Sequence, residues 1–188
     1  FLNYHTKLKY ETLDKRYFPT KGLKTNISYT IYTNLHTNTA YSSLAAQVTK
    51  IFPITLNTFI IPTIYGRFIF NDGIPFMYSN VIGGEGYNPH YEQQIPFSGL
   101  THTESTLKLL GNAQIQVRHK FHEKQYLTLS GNYAIHQNQF SNFLQGKKIY
   151  GTSIGYGYDS PLGPIEGFIC YSNRTNKLGF YLNIGFGF

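Results

Sequence analysis

The chain has 188 residues, with 16 Lys and Arg against 9 Asp and Glu for a formal net charge of +7. Only 13% of its residues are charged while 17% are aromatic, as 17 Tyr and 15 Phe with no Trp, against the roughly 25% charged residues of a soluble domain. The length suffices for one core or one small barrel without a second domain. No apolar run approaches the ~20 residues of a spanning helix; the longest, around Phe59-Ile60-Ile61, is broken at Pro62, which excludes a helical membrane protein. The single cysteine, Cys170, excludes an internal disulfide framework, and its mid-strand position fits a buried or wall-facing thiol.

No long apolar stripe of period 3.6 is capped at both ends, so helices are not predicted. Alternating runs bounded by turn residues recur instead. The first predicted strand, 4–12, sets Tyr4, Thr6, Leu8 and Tyr10 against His5, Lys7, Lys9 and Glu11. A turn-rich stretch from Asp14 to Gly22 leads to a second strand, 23–32, where Leu23, Thr25, Ile27, Tyr29 and Ile31 oppose Lys24, Asn26, Ser28 and Thr30. The third, 41–51, turns Leu44, Ala46 and Val48 outward. The fourth, 58–70, is apolar on both faces, which leaves its register open.

Residues 71–105 form the one long connection, holding Gly73, Gly83, Gly84, Gly86 and Gly99 with Pro75, Pro89 and Pro96. Connections of that length are usually functional or disordered. The fifth strand, 106–119, places Ile115 and Val117 opposite Gln114, Gln116 and Arg118. The sixth, 125–136, sets Leu127, Leu129, Tyr133 and Ile135 against Thr128, Ser130, Asn132 and His136. A loop rich in Gln and Asn leads to the seventh, 150–158, where Thr152, Ile154, Tyr156 and Tyr158 oppose Gly151, Ser153, Gly155 and Gly157. The eighth, 164–172, and the ninth, 179–188, complete the order.

The ninth strand decides the class. Phe180, Leu182, Ile184, Phe186 and Phe188 alternate with Tyr181, Asn183, Gly185 and Gly187, so one face is wholly apolar and the other small or polar. In a transmembrane β-barrel the large residues of such a strand face lipid and the small ones the lumen; the closing strand of a soluble sandwich or lipocalin-like barrel is the alternative. If the chain ends in the periplasm, strict alternation puts the turns near 159–163, 119–124, 52–57 and 14–22 inside. The connections 173–177, 137–147, 71–105 and 34–40 then fall outside. Long loops gather outside and short turns inside, as in outer-membrane barrels. The same parity starts strand one at the external surface, and nine is an odd number for a bacterial barrel. Together with a start at Phe1, without Met or signal peptide, this leads to the expectation of a processed form or an excerpt.

Three stretches carry a family resemblance. Tyr158-Asp159-Ser160-Pro161-Leu162-Gly163-Pro164-Ile165, Tyr171-Ser172 and Phe180-Tyr181-Leu182-Asn183-Ile184-Gly185 resemble the end of the bacterial surface-antigen barrel. That is the sixteen-stranded barrel of outer-membrane assembly factors and of outer-membrane patatin-like phospholipases. Asp14 through Phe18-Pro19-Thr20-Lys21-Gly22 resembles the superfamily's recurrent Asp-…-Phe-Pro-Thr-Arg/Lys-Gly turn. Gln94-Ile95-Pro96-Phe97-Ser98-Gly99-Leu100, after Gly83-Gly84, is similar to the loop before the last five strands in patatin-like members from Bacteroidota. Assembly factors carry a Val-Arg-Gly-Phe-type loop tip, whereas Val81-Ile82-Gly83-Gly84 lacks the arginine, which favours the patatin-linked branch.

The resemblance implies an all-β antiparallel transmembrane barrel, with residues 1–188 supplying about nine C-terminal strands of sixteen. It implies an outer-membrane location in a Gram-negative bacterium, with a periplasmic patatin domain upstream that the barrel anchors or exports. Phe180, Leu182, Ile184, Phe186 and Phe188 would form the C-terminal insertion strand, read by the barrel-assembly machinery. Gly83, Gly84, Gln94, Ile95, Pro96, Phe97 and Gly99 would belong to the long external loop, free to bind a ligand or to plug the barrel. Expected partners are outer-membrane lipid, lipopolysaccharide, and either upstream strands or a second copy. A pore that assembles or translocates other proteins, and a soluble ligand-binding barrel, are the alternatives.

The chemistry-bearing motifs are few. Gly151-Thr152-Ser153-Ile154-Gly155 matches G-x-S-x-G, but a nucleophile elbow needs a strand-to-helix turn and a His partner. Here another strand follows, and no His comes after Ser153, so the chain itself is not expected to be an enzyme. His119 and His122 share a turn without the further ligands zinc requires, and no cofactor or metal is expected. Lys7, Lys9, Lys24, Arg67, Arg118 and Lys120 share the face opposite lipid or its rim, as lumen-facing charges. They would either attract anions or simply avoid lipid, where a midplane Lys costs ~2–4 kcal/mol. The +7 charge comes without a Lys/Arg run or recognition helix, so nucleic acid is not an expected partner, and lipopolysaccharide phosphates suit a diffuse basic excess.

Overall fold

The computed structural model describes residues 2–35, 39–71, 75, 78–84, 93–100 and 102–185. Nine long antiparallel strands form one sheet: β1 (Leu2–Glu11), β2 (Gly22–Asn34), β3 (Thr39–Pro53), β4 (Thr58–Ile69), β8 (Leu109–His122), β9 (Gln125–Gln137), β10 (Lys147–Ser160), β11 (Gly163–Ser172) and β12 (Leu178–Ile184). Neighbours in the sheet are neighbours in sequence, apart from the excursion between β4 and β8, which nevertheless pair with each other. Within that excursion β5 (Asn80–Ile82), β6 (Gln94–Ile95) and β7 (Glu104–Thr106) make a second, three-stranded sheet in the order β6-β5-β7. The all-β expectation holds.

The period-two pattern sets the register because a one-residue slip would reverse every side chain. Tyr4 lies opposite Ile31, Thr6 opposite Tyr29 and Leu8 opposite Ile27. At the far side Ile154 meets Leu129, Tyr156 meets Leu127 and Ile169 meets Phe180. Such aromatic and branched pairs contribute roughly 0.2–1 kcal/mol each. All of these except Ile31 and Thr6 are large side chains standing exposed on the outer face. On the other face Ser153 meets Ser130 and Gly151 meets Asn132, and the Thr49 and Thr63 hydroxyls are 3.0 Å apart. For β4 the open register resolves with Phe59, Ile61 and Arg67 inward and Ile64 outward.

Two strand starts differ from the sequence expectation by three residues, for visible reasons. β8 begins at Leu109 rather than 106, because Thr106 pairs with Asn80 in the small sheet. β10 begins at Lys147 rather than 150, because β9 extends far enough for Lys147 to pair with His136. The polar connection before it holds a short 3-10 helix, Phe140–Gln145. Phe186 and Phe188 of the ninth predicted strand lie outside the described residues.

The sheet curls. One cavity is lined both by Lys24 of β2 and by Glu166 and Phe168 of β11, strands separated by six steps in the sheet order. At about 4.8 Å per step those strands would stand about 29 Å apart in a flat sheet. The interior of the curl is where the site lies.

Candidate functional site

Two segments enter the curled sheet. The first is the turn at 12–22, between β1 and β2. Asp14 organises it: one carboxylate oxygen accepts the Thr20 amide at 2.8 Å and the Lys21 amide at 3.2 Å, and the other accepts the Thr20 hydroxyl. Gly22 closes it at φ +124°, where a Cβ would press on the backbone of Thr12 and Leu13. Between them Phe18 takes a left-handed φ of 46°, a conformation that costs a side-chain-bearing residue energy. Burial offsets that cost, since Phe18 is 0% exposed and its ring stacks on Tyr126 of β9 at 4.2 Å and 4°.

The second segment is the long connection. Ile82, Ile95, Phe97 and Leu100 form one core with Leu110, Ala134 and Ile149 on the inner faces of β8, β9 and β10. Its chain is internally bonded, with the Gly83 amide donating to Ile95 O at 2.9 Å, the Gly84 amide to Leu100 O at 2.6 Å and the Phe97 amide to Gly84 O at 2.9 Å. The Gln94 side-chain amide adds a bond to Gly83 O at 2.8 Å. Gly99, at φ +96°, sits so close to β11 that a Cβ would overlap the Tyr171 carbonyl.

The small residues of β10 now have a cause. A Cβ at Gly151 would overlap the Ser98 carbonyl, one at Gly155 the Phe168 ring, and one at Gly157 would lie 2.7 Å from the Phe18 ring. The inward face of β10 is small because the turn, the loop and a β11 aromatic lie against it. Ser153, between these glycines, is buried at 3% exposure with no partner for its hydroxyl among the described residues. β11 follows β10 directly, so the elbow geometry is absent at this motif. Cys170 is buried on β11.

The six basic residues divide, with Lys120 near the end of β8 opposite Tyr126. Arg67 is buried and holds the loop: its Nη1 donates to Asn80 Oδ1 at 2.6 Å and to Tyr78 O, and its Nη2 donates to Ser43 Oγ. Asn80, itself 0% exposed, donates to Leu107 O and Lys108 O at 2.8 Å. Arg118 is equally buried, at 4%, yet its Nε and Nη1 have no hydrogen-bond partner among the described residues. Its guanidinium instead lies over the Phe18 ring, 5.4 Å from the centroid. Lys24 lines the cavity. Lys9 pairs with Glu11 at 2.6 Å, and Lys7, opposite Ser28, is exposed on β1. His119 bonds the Thr58 hydroxyl at 2.9 Å, and among the described residues no group of three or more His, Cys, Asp or Glu side chains could hold a metal.

The exposed side chains of Phe180, Leu182 and Ile184 on β12 continue the outer apolar face. Glu104, on the return of the long connection, bonds Arg174 of the β11–β12 turn at 2.9 Å. Sequence reasoning missed Phe18, Asn80 and Tyr126 as interior residues. The signal for Phe18 was its place in the Asp14–Gly22 turn, and for Tyr126 its shared parity with Thr128 and Ser130; Asn80 gave none.

The sequence model of the OMP85 superfamily matches residues 1–188. The chain belongs to the OMP85 superfamily. Members of that superfamily are outer-membrane β-barrels of Gram-negative bacteria, and a curled antiparallel sheet with an apolar outer face is the corresponding architecture. No curated relative matches the chain. The arrangement turns an apolar face outward and holds a folded loop against the inner one. The Ser153 hydroxyl has no hydrogen-bond partner among the described residues, so the G-x-S-x-G stretch pairs no nucleophile with a base.

Proposed function

We propose that this OMP85 sheet is the C-terminal part of a Gram-negative outer-membrane barrel that anchors a patatin-like phospholipase domain lying upstream in the same protein. The observation that carries the anchor over an open pore is the apolar core joining Ile82, Ile95, Phe97 and Leu100 to the inner faces of β8–β10. A loop seated by that much buried apolar surface stoppers the interior in its resting state. The patatin assignment rests on Gln94–Leu100 following Gly83-Gly84, and on the loop tip without arginine. β1 and β12 stand at the ends of the sheet order, and in lipid such edges must be paired. Seven upstream strands of the same polypeptide would supply that pairing; a second copy is the other source. Outer-membrane lipid contacts the outer face, and the barrel-assembly machinery inserts the sheet through the strand that includes Phe180, Leu182 and Ile184.

The test is hydrolysis by the full-length protein in phospholipid vesicles. Release of fatty acid that is lost on mutating an upstream serine supports the anchor; an upstream region without hydrolase motif or activity removes it. The second reading, a barrel that assembles or translocates other proteins, is favoured by superfamily membership itself. It would appear as barrel insertion or secretion defects in a deletion strain.

A further inference from the structure

The interior left between turn, loop and sheet is a cavity of about 220 Å³. We infer that this cavity binds a small oxyanion, a phosphate- or carboxylate-bearing solute, with Arg118 as its principal ligand.

Arg118 is the starting point. A guanidinium stays charged at every physiological pH, and burying one with its N–H groups incompletely hydrogen-bonded is strongly disfavoured. Here the side chain is 4% exposed, and two of its three nitrogens lack a partner among the described residues. The guanidinium carbon lies 5.4 Å from the Phe18 ring centroid, and the Tyr126 ring backs that ring in turn. That contact holds the group beside the aromatic pair and leaves the N–H groups of Nε and Nη1, which lie on different edges of the guanidinium, for oxyanion acceptors.

The lining suits the same ligand. Cations among the lining residues are Arg16, Lys24 and Arg118, against the single acid Glu166, three to one. Asn112 and Ser130, also in the lining, each carry an oxygen without a partner among the described residues. Gln114 and Gln116 add amide groups from β8. Phe97 and Phe168 give apolar walls. Polar neutral groups around one buried cation match a polyol that bears one acidic group. The volume lies below the ~300–1,000 Å³ of drug-sized pockets, which suits a small solute. The inference concerns the interior alone and does not rest on the nature of any upstream domain.

The experiment uses the full-length protein in nanodiscs, titrated calorimetrically with glucose 6-phosphate and gluconate, with glucose as the neutral control. Saturable binding of either acid, absent for glucose and at least tenfold weaker in Arg118→Gln, is the expected result. Arg118→Lys, which keeps the charge and loses the fork, should weaken binding several-fold. Heat-modifiable gel mobility checks that each variant is folded. If Arg118→Gln fails to fold, Arg118→Lys decides, and unchanged affinity in that variant overturns the proposal. No binding to the wild type also overturns it. In that case Arg118→Gln should lower the unfolding temperature, because a carboxylate of the polypeptide itself would be the counter-ion.

Discussion

The ring of Phe18 lies parallel to that of Tyr126, 4.2 Å away, although one belongs to the β1–β2 turn and the other to β9, four places from β2 in the sheet. The contact spans the curled interior and fastens the near end of the sheet to its middle. Phe18→Ala removes a fully buried ring, and a change of that kind destabilises by about 3–5 kcal/mol. Chemical unfolding of the full-length protein should show a loss in that range, and a loss below about 1 kcal/mol would mean the ring contributes little.

Gly157 and Phe18 should behave as one unit. A Cβ at Gly157 would stand 2.7 Å from the Phe18 ring, so Gly157→Ala should destabilise the wild type and cost much less in the Phe18→Ala background. Contacting residues couple by roughly 0.5–3 kcal/mol in such cycles. Additive losses would show that the ring does not occupy that position.

The turn should loosen in acid. Burial tends to raise the Asp14 carboxyl, but the hydrogen bonds from the Thr20 hydroxyl and from the Thr20 and Lys21 amides outweigh it and hold the group below the usual carboxylate range. A depressed carboxyl contributes stability that is present above its unfolded value of about 3.9 and is lost as pH falls through the lower, folded one. Amide exchange at Thr20 and Lys21, corrected for the intrinsic rate at each pH, should lose protection below about pH 4. Asp14→Asn should lack that protection at every pH, and a wild type equally protected at pH 2 and pH 6 would contradict this account.

Arg67 should hold the loop inside. Replacing it with Ala strips Asn80 and the Tyr78 carbonyl of their charged donor, and removing one partner from a buried polar network is strongly destabilising. In planar bilayers Arg67→Ala should show larger and more frequent openings than the wild type. Identical traces would place the stopper elsewhere.

Much of this was legible in the sequence because alternation has a single physical meaning in a sheet exposed on one face. That Leu8 and Ile27, and Ile154 and Leu129, stand on one outer face follows from period two alone, and so does the exposure of Phe180, Leu182 and Ile184. The 71–105 connection was legible only as a long loop. Its seat depends on Ile82 and Phe97 meeting Leu110 and Ile149, contacts distant in sequence and without periodicity. The same holds for Arg118: the pattern puts it on the inner face, but its lack of a partner depends on where Phe18 and the loop come to rest. Gly155 and Gly157 were read as small lumen residues, while the rings that require them could not be placed.

The central claim is that the Tyr, Ile and Leu face of this OMP85 sheet meets lipid while the Asn, Ser and Gly face encloses the filled interior. Single cysteines at Ile154 and Ile184, and at Ser153 and Asn183, test it directly in the full-length protein with Cys170 replaced by Ala. Spin labels at Ile154 and Ile184 should be relaxed by oxygen dissolved in the bilayer and not by a water-soluble nickel chelate. Labels at Ser153 and Asn183 should show no such preference for the lipid-soluble relaxant. The reverse pattern at the two pairs would contradict the register and the membrane orientation together.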